Sequence, residues 1–345
     1  MLKQVVQLIR LFGLPTLVRR KRNHDKALPM LRGYAGTICF TTLLNAGFFD
    51  EIQRTGSVDP EHFARERGMN PEVLEHIVEY LDCIHVVRRE GNLVTLDTLG
   101  ERLLSDPRGS FELTHGYQPV LHQLDDLLMD RKRFGRDVRR LGDYIARGSG
   151  RLGRQLPFPV MKHLVEKHGS RRVLDLGAGN VEFLELLCEG TDIRCRGVEI
   201  DPDAVAEARR QLDGSPVGDR IEILEGDMFD VAPLRERWPD IDGVIAIDTF
   251  HEYIKHHRER VVDLLRQYRE AFPEALFYVA EFCRQPHAWL RKHPTSFVEH
   301  HLFHNLTDQQ ILSADEWETL FDEANLEIVD RTVFSMVGHG YFVVK

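Results

Sequence analysis

Cysteine is scarce in this sequence. The 345 residues hold five, Cys39, Cys83, Cys188, Cys195 and Cys283, and no two of them stand as Cys-x-x-Cys. Nothing here supports a disulfide framework or a thiolate zinc site, and a reducing, cytoplasmic setting is expected. Long apolar runs are also missing: no stretch reaches the roughly 18 residues a membrane-spanning helix needs. The opening MLKQVVQLIRLFGLPTLVRRKR is apolar and basic, yet lacks the small-residue cleavage site of a secretory signal. Internal repeats and low-complexity tracts are absent.

An excess of positive charge is missing as well. The net charge is −10, made of +7 in residues 1–33 and −17 in the rest. An acidic body disfavours nucleic acid, because phosphate contacts need Lys and Arg. The basic start has two readings: a helix packed on a partner subunit, or residues 1–22 touching a membrane surface. Gly13 and Pro15 interrupt that helix, and the partner-subunit reading is preferred. Apolar residues make up 42% and charged residues 29%, the balance of a soluble globular chain long enough for two domains.

Four regions are expected: the basic segment 1–33, a small domain 34–105, a helical connector 106–160 and an α/β domain 161–345. Residues 35–55 read as a helix ending near Gly47. Residues 60–68 form a second. Asn70-Pro71 opens a third, on which Val73, Leu74, Ile77, Val78 and Leu81 recur at helical spacing. Val86–Arg89 and Leu93–Leu96 flank the tight turn Glu90-Gly91-Asn92 as a hairpin. Helix, helix, hairpin is a winged-helix order. The helix that would face DNA carries Glu72, Glu75, Glu79 and Asp82 and no Lys or Arg, so repulsion favours a dimerisation module over a DNA reader. In the connector, Arg131–Arg140 reads as a solvated basic face and Gly148-Ser149-Gly150 as a break.

Beyond residue 161 strands and helices alternate. Strands are expected at 172–176, 195–200, 221–225, 243–247, 276–281, 326–334 and 341–344, the last two as an antiparallel edge hairpin. The pattern predicts a mostly parallel, Rossmann-like sheet with helices on both faces.

The sharpest motif is Val173-Leu174-Asp175-Leu176-Gly177-Ala178-Gly179-Asn180, a strand running through glycines into a helix. Glycines let a ligand approach the backbone. Glu199 ends the next strand, 20 residues after Gly179, at the spacing of a carboxylate that accepts from ribose hydroxyls. A dinucleotide site would want a third glycine where Glu182 stands. Asp175, just ahead of the glycines, would repel a pyrophosphate and attract an ammonium. The charges favour S-adenosylmethionine, which carries an ammonium and a sulfonium and no phosphate. Asp227, after the third strand, can accept from an adenine amino group, with Ile200 and Met228 covering the ring.

On these residues the chain resembles the class I S-adenosylmethionine-dependent methyltransferases. More narrowly it is similar to the O-methyltransferase-like family with an N-terminal winged-helix dimerisation domain. The resemblance implies a small-molecule substrate and a homodimer through the N-terminal domain. It implies Asp175, Gly177 and Gly179 around the methionine moiety, Glu199 on the ribose and Asp227 on the adenine, with Asp248 also at the cofactor and Gly148–Gly150 nearby.

The fourth strand runs into Asp248-Thr249-Phe250-His251-Glu252-Tyr253. In the family a His followed by an acid and an aromatic supplies the general base, and His251 matches it. A second stretch, His300-His301-Leu302-Phe303-His304-Asn305-Leu306-Thr307-Asp308-Gln309, resembles a group that methylates the carbon beside a 2-oxo acid's ketone. The arginine-derived 2-oxo acid type is its nearest likeness. A related phenylpyruvate-methylating enzyme holds iron with two histidines, and His251 and His304 match that pair by position. Such chemistry needs an enolate stabiliser, either a metal or hydrogen-bond donors. One nitrogen of His251 cannot both ligate and abstract. C-methylation of a 2-oxo acid is the leading expectation. O-methylation with His251 as base, and a cofactor-sensing regulator, are the alternatives. His300 and His301 read as a polar loop without a role.

Overall fold

The computed structural model describes residues 2–293 and 295–345. It divides into two compact units, Met1–His115 and Gly116–Lys345.

In the first unit Gly13, with φ near +74°, separates the helix Leu2–Phe12 from the 32-residue helix Leu14–Asn45. Pro15 sits in the first turn of the longer helix, where its missing N–H costs nothing. The helix expected over 35–55 therefore starts much earlier, and Gly47 parts it from Phe48–Thr55. Asp59 and Asn70 cap Pro60–Glu66 and Pro71–Cys83 by accepting from the first free N–H groups. The hairpin β1 (Val87–Glu90) and β2 (Leu93–Leu96) follows. Phe40, Phe48, Phe49 and Phe63 interlock with Leu74, Val78 and Leu81 in one core. On the acidic helix, Glu75 accepts from the Arg89 guanidinium of β1 at 2.6 Å. No helix among the described residues is long and apolar enough to cross a membrane.

The second unit is built on a seven-stranded sheet: β3 (Arg172–Leu176), β4 (Arg194–Glu199), β5 (Ile221–Glu225), β6 (Gly243–Ile247), β7 (Leu276–Phe282), β8 (Ile328–Phe334) and β9 (His339–Val344). The order is β5-β4-β3-β6-β7-β9-β8. The first five strands are parallel, and β9 runs antiparallel between β7 and β8. Helices cover both faces, giving two apolar layers, one around Leu174, Val244 and Phe277 and the other around Val173, Ile245 and Tyr278. Neighbouring strand residues point to opposite layers, as the pleat requires. The chain winds outward from β3 through β5, then returns to β6. The strand order therefore reverses between β3 and β6, and the C-terminal ends of strands at such a switch point are the usual ligand position.

Three expectations about connecting segments are corrected. Gly148, Ser149 and Gly150 do not break a helix; they lie inside Gly142–Gln155. Glycine costs helix stability, but here it permits close packing. A Cβ on Gly153 would stand 2.5 Å from the Phe158 ring, and one on Gly150 3.0 Å from Glu182 Oε2. Residues 131–140 are not a helix face: Arg131, Lys132, Arg133 and Arg136 pair with nearby aspartates, and Arg140 reaches Glu252. The segment around His300 and His301 is the helix Phe297–Leu306, not a loop.

Candidate active site

The glycine turn sits at the C-terminal end of β3, at this switch point. Gly177 and Gly179 have φ near +82° and +53°, the left-handed region open to glycine. The Gly177 and Ala178 N–H groups donate to the Val198 carbonyl. Gly179 N–H donates to Glu199 Oε2 and Asp201 N–H to Glu199 Oε1, each at 3.0 Å. The Glu199 carboxylate is thus pinned at the end of β4 with a lone pair left on each oxygen. Asp175 is buried in β3. Burial, aided by the charge on Glu199, pushes its pKa up to about 7. A cation beside it would draw it back to the ionised form.

The flanking residues are placed unequally. Ile200 stands 64% exposed, whereas Met228 is in the core, its carbonyl accepting from the Tyr268 hydroxyl at 2.9 Å. Asp227 accepts from Phe229 N–H at 2.9 Å and lies 3.7 Å from Arg260. The helix Gly142–Gln155 lies alongside the glycine turn: Arg154 pairs with Glu182 at 2.8 Å.

The second half of the site forms where β6 ends. Asp248 adopts φ near +52°. After it, Thr249, Phe250 and His251 N–H groups all donate to Glu281 Oε1, at 3.0, 2.5 and 3.3 Å. Glu281 comes from β7 and is fully buried. Its other oxygen lies 2.9 Å from His251 Nδ1. A carboxylate only accepts, so Nδ1 carries the hydrogen and Nε2 of neutral His251 is bare. Burial lowers the His251 pKa, but the charge and hydrogen bond of Glu281 outweigh it, and the net shift is upward.

His304 joins His251 from the helix Phe297–Leu306, the two rings 4.9 Å apart and steeply inclined. Its Nδ1 donates to the His300 carbonyl at 2.6 Å, so its Nε2 is also bare. Burial, then the neighbouring His251, holds its pKa well below the usual imidazole value. The Phe282 ring touches both imidazoles. Glu252 accepts from Gln309 at 2.6 Å and from Arg140 at 3.1 Å. Tyr117 stacks on Phe303 at 4.9 Å.

The strand, glycine turn and helix beginning at Val173 match a known family model, described as a methyltransferase domain, over residues 173–270. Residues 173–270 form a methyltransferase domain. The chain is an S-adenosylmethionine-dependent methyltransferase. The 2-ketoarginine methyltransferase of Streptomyces arginensis is 26% identical over 317 residues, 89% of this chain and 90% of that one. Among solved structures, the mitomycin 7-O-methyltransferase MmcR superposes with a TM-score of 0.70 at 16% identity, covering 95% of this chain and 99% of that one. PigF with SAH gives 0.67 at 19% identity, covering 92% and 98%. The fold of this methyltransferase is therefore Rossmann-like and of class I.

The methyltransferase thus brings together Asp175, Gly177, Gly179 and Glu199 on one side and Asp248, His251 and His304 on the other. Sequence reasoning missed Glu281 and Arg140, and gave Gln309 no role of its own. Glu281 had a signal: it is the one acid in the apolar strand Leu-Phe-Tyr-Val-Ala-Glu-Phe, and a buried carboxylate demands partners. Arg140 had none, because its pairing with Glu252 spans 112 residues.

Proposed function

We propose that this methyltransferase moves the methyl group to an acidic hydroxyl oxygen of a small metabolite, with His251 as general base. One observation carries the reading: a buried imidazole whose Nδ1–H is held by Glu281 and whose Nε2 is bare. Such a nitrogen takes the hydroxyl proton, and Glu281 stabilises the resulting imidazolium. In this reading Asp175, Gly177 and Gly179 hold the methionine part of the cofactor, Glu199 the ribose, and Asp227 with Ile200 and Met228 the adenine. The structures named O-methyltransferases support it by likeness of fold.

A second reading places the methyl on the carbon beside the ketone of a 2-oxo acid. It is supported by the second bare nitrogen, on His304, and by the name of the Streptomyces relative. Two neutral imidazoles fit iron, with substrate and water oxygens completing the set. Bound there, iron would supply Lewis acidity to the keto oxygen. Asp248, His251 and Glu281 also have ligand atoms within 4.8 Å of one another. That set is less open, since both Glu281 oxygens already accept N–H groups and Asp248 Oδ1 faces His339.

The test is transfer of an isotopically labelled methyl group onto a panel of phenols, enols and 2-oxo acids, read by mass spectrometry and product NMR. Label on oxygen is expected. Label only on carbon would replace the first reading with the second, and no label on any acceptor would overturn both.

Assembly is part of the same proposal. Val5, Leu11, Leu14, Val18, Met30 and Leu31 are exposed apolar side chains of the first unit. A second copy of the chain covers them in this reading, and light scattering of the full-length protein tests it.

A further inference from the structure

We propose that His339 is a positioning residue for His251, acting through Asp248. The inference rests on the reading that His251 prepares the acceptor.

The argument starts with the backbone. Asp248 follows β6 in the left-handed region, where side chains other than glycine's are disfavoured. That conformation turns the chain so that the next three N–H groups converge on Glu281 Oε1. The same turn starts the helix His251–Ala271 at His251 and sets its ring against Glu281 Oε2. A residue in any other region would send those N–H groups elsewhere.

Two contacts hold Asp248 there. Its N–H donates to the Ala280 carbonyl of β7 at 2.8 Å. Its side chain accepts from His339 Nε2, also at 2.8 Å. His339 is well suited to be the fixed post. It lies on β9, paired in register with Phe282 of β7, and is 3% exposed. Its ring packs on Phe282 at 5.3 Å and Tyr341 at 4.8 Å. Phe282 in turn touches His251 and His304.

The chemistry of His339 argues against packing alone. Its Nδ1 is buried with no hydrogen-bond partner among the described residues. A buried nitrogen left without a partner is unfavourable, and an apolar side chain of similar size would avoid it. What an imidazole supplies here and an apolar side chain would not is its other nitrogen, which holds Asp248.

The experiment uses the full-length protein, ¹⁵N-labelled on histidine, with S-adenosylhomocysteine bound. The probe is the low-field proton of His251 Nδ1–H, assigned by its loss in His251→Asn. In His339→Leu this resonance should broaden into exchange with water or vanish. In His339→Gln, whose side-chain amide donates to Asp248, it should persist. Affinity for S-adenosylhomocysteine is measured on both variants, so that each resonance is compared at equal saturation. With an acceptor from the panel above, His339→Leu should lose about tenfold or more in kcat with little change in KM, and His339→Gln should recover most of it. A resonance unchanged in His339→Leu, or lost equally in both variants, overturns the proposal. If His339→Leu does not fold, Asp248→Gly is read in the same way: it keeps the backbone region accessible but removes the anchored carboxylate. A resonance that survives intact there also overturns the proposal. Should no acceptor be methylated, the reading of the reaction fails, while the resonance still decides the link from His339 to His251.

Discussion

Glu281 holds His251 twice: Oε2 accepts from the ring Nδ1–H at 2.9 Å, and Oε1 accepts from the backbone N–H at 3.3 Å. One carboxylate on β7 therefore sets both the tautomer of His251 and the start of its helix. Replacing it tests the two roles together. Glu281→Gln should lower kcat by about 10²-fold, because the amide disrupts the tautomer that leaves Nε2 bare. Glu281→Ala should destabilise the fold by about 3–5 kcal/mol, since it strands three N–H groups and an imidazole. Thermal unfolding and steady-state kinetics on the same preparations separate these effects.

The pH dependence of turnover has a stated sign. In the proposed reaction His251 must be neutral to accept a proton, and its pKa in the folded protein is raised through Glu281 despite burial. The acid limb of kcat should therefore lie above the unperturbed value of about 6.5. In Glu281→Gln that limb should move down. A limb that stays in place in the variant would separate Glu281 from the titration of His251.

Stability should respond to the two histidines in opposite directions. The raised pKa of His251 means the folded state binds its proton more tightly than the unfolded chain. That contribution is full below about 6.5 and is lost as pH rises through the folded value. The pKa of His304 is lowered, so the unfolded chain binds that proton more tightly. Its effect is a loss of stability as pH falls below about 6.5 toward the folded value. His304→Gln should thus flatten the acid side of a plot of stability against pH. Denaturant titrations from pH 5 to 8 give the comparison.

Cofactor affinity should depend on Glu199. Glu199→Ala removes the acceptor for Gly179 and Asp201 N–H as well as the proposed ribose contact. The expected weakening is about 1.5–3 kcal/mol, or roughly 10–100-fold in Kd. Calorimetry with S-adenosylhomocysteine measures it, and an unchanged Kd would move the ribose elsewhere.

Iron distinguishes the two acceptor readings. If the methyl goes to carbon, purified protein should carry close to one iron per chain, and His304→Ala should lower that content about tenfold or more. Turnover that survives a strong chelator, together with no iron by elemental analysis, would leave His251 as a base and retire the metal.

Much of this was legible in the sequence. The alternation of strands with helices, the glycine turn after β3, Glu199 after β4 and His251 after β6 are all local: a pleat, a turn and a helix start are each written in a few adjacent residues. Periodicity even named β3, β5 and β6 to the residue. The failures were also local, because Gly148 to Gly150 signal a break until Glu182, packed against Gly150, shows why a small residue is needed there.

Residue order alone thus determined the strand–helix alternation and the glycine turn next to Asp175, where a cationic cofactor is expected. Only tertiary structure decided the half of the candidate site around His251. Glu281 meets His251 across 30 residues, His339 meets Asp248 across 91, and His304 faces His251 from another helix. No short-range pattern encodes such pairs. They are selected because a buried charge or polar nitrogen must find its partner wherever the fold brings one within reach.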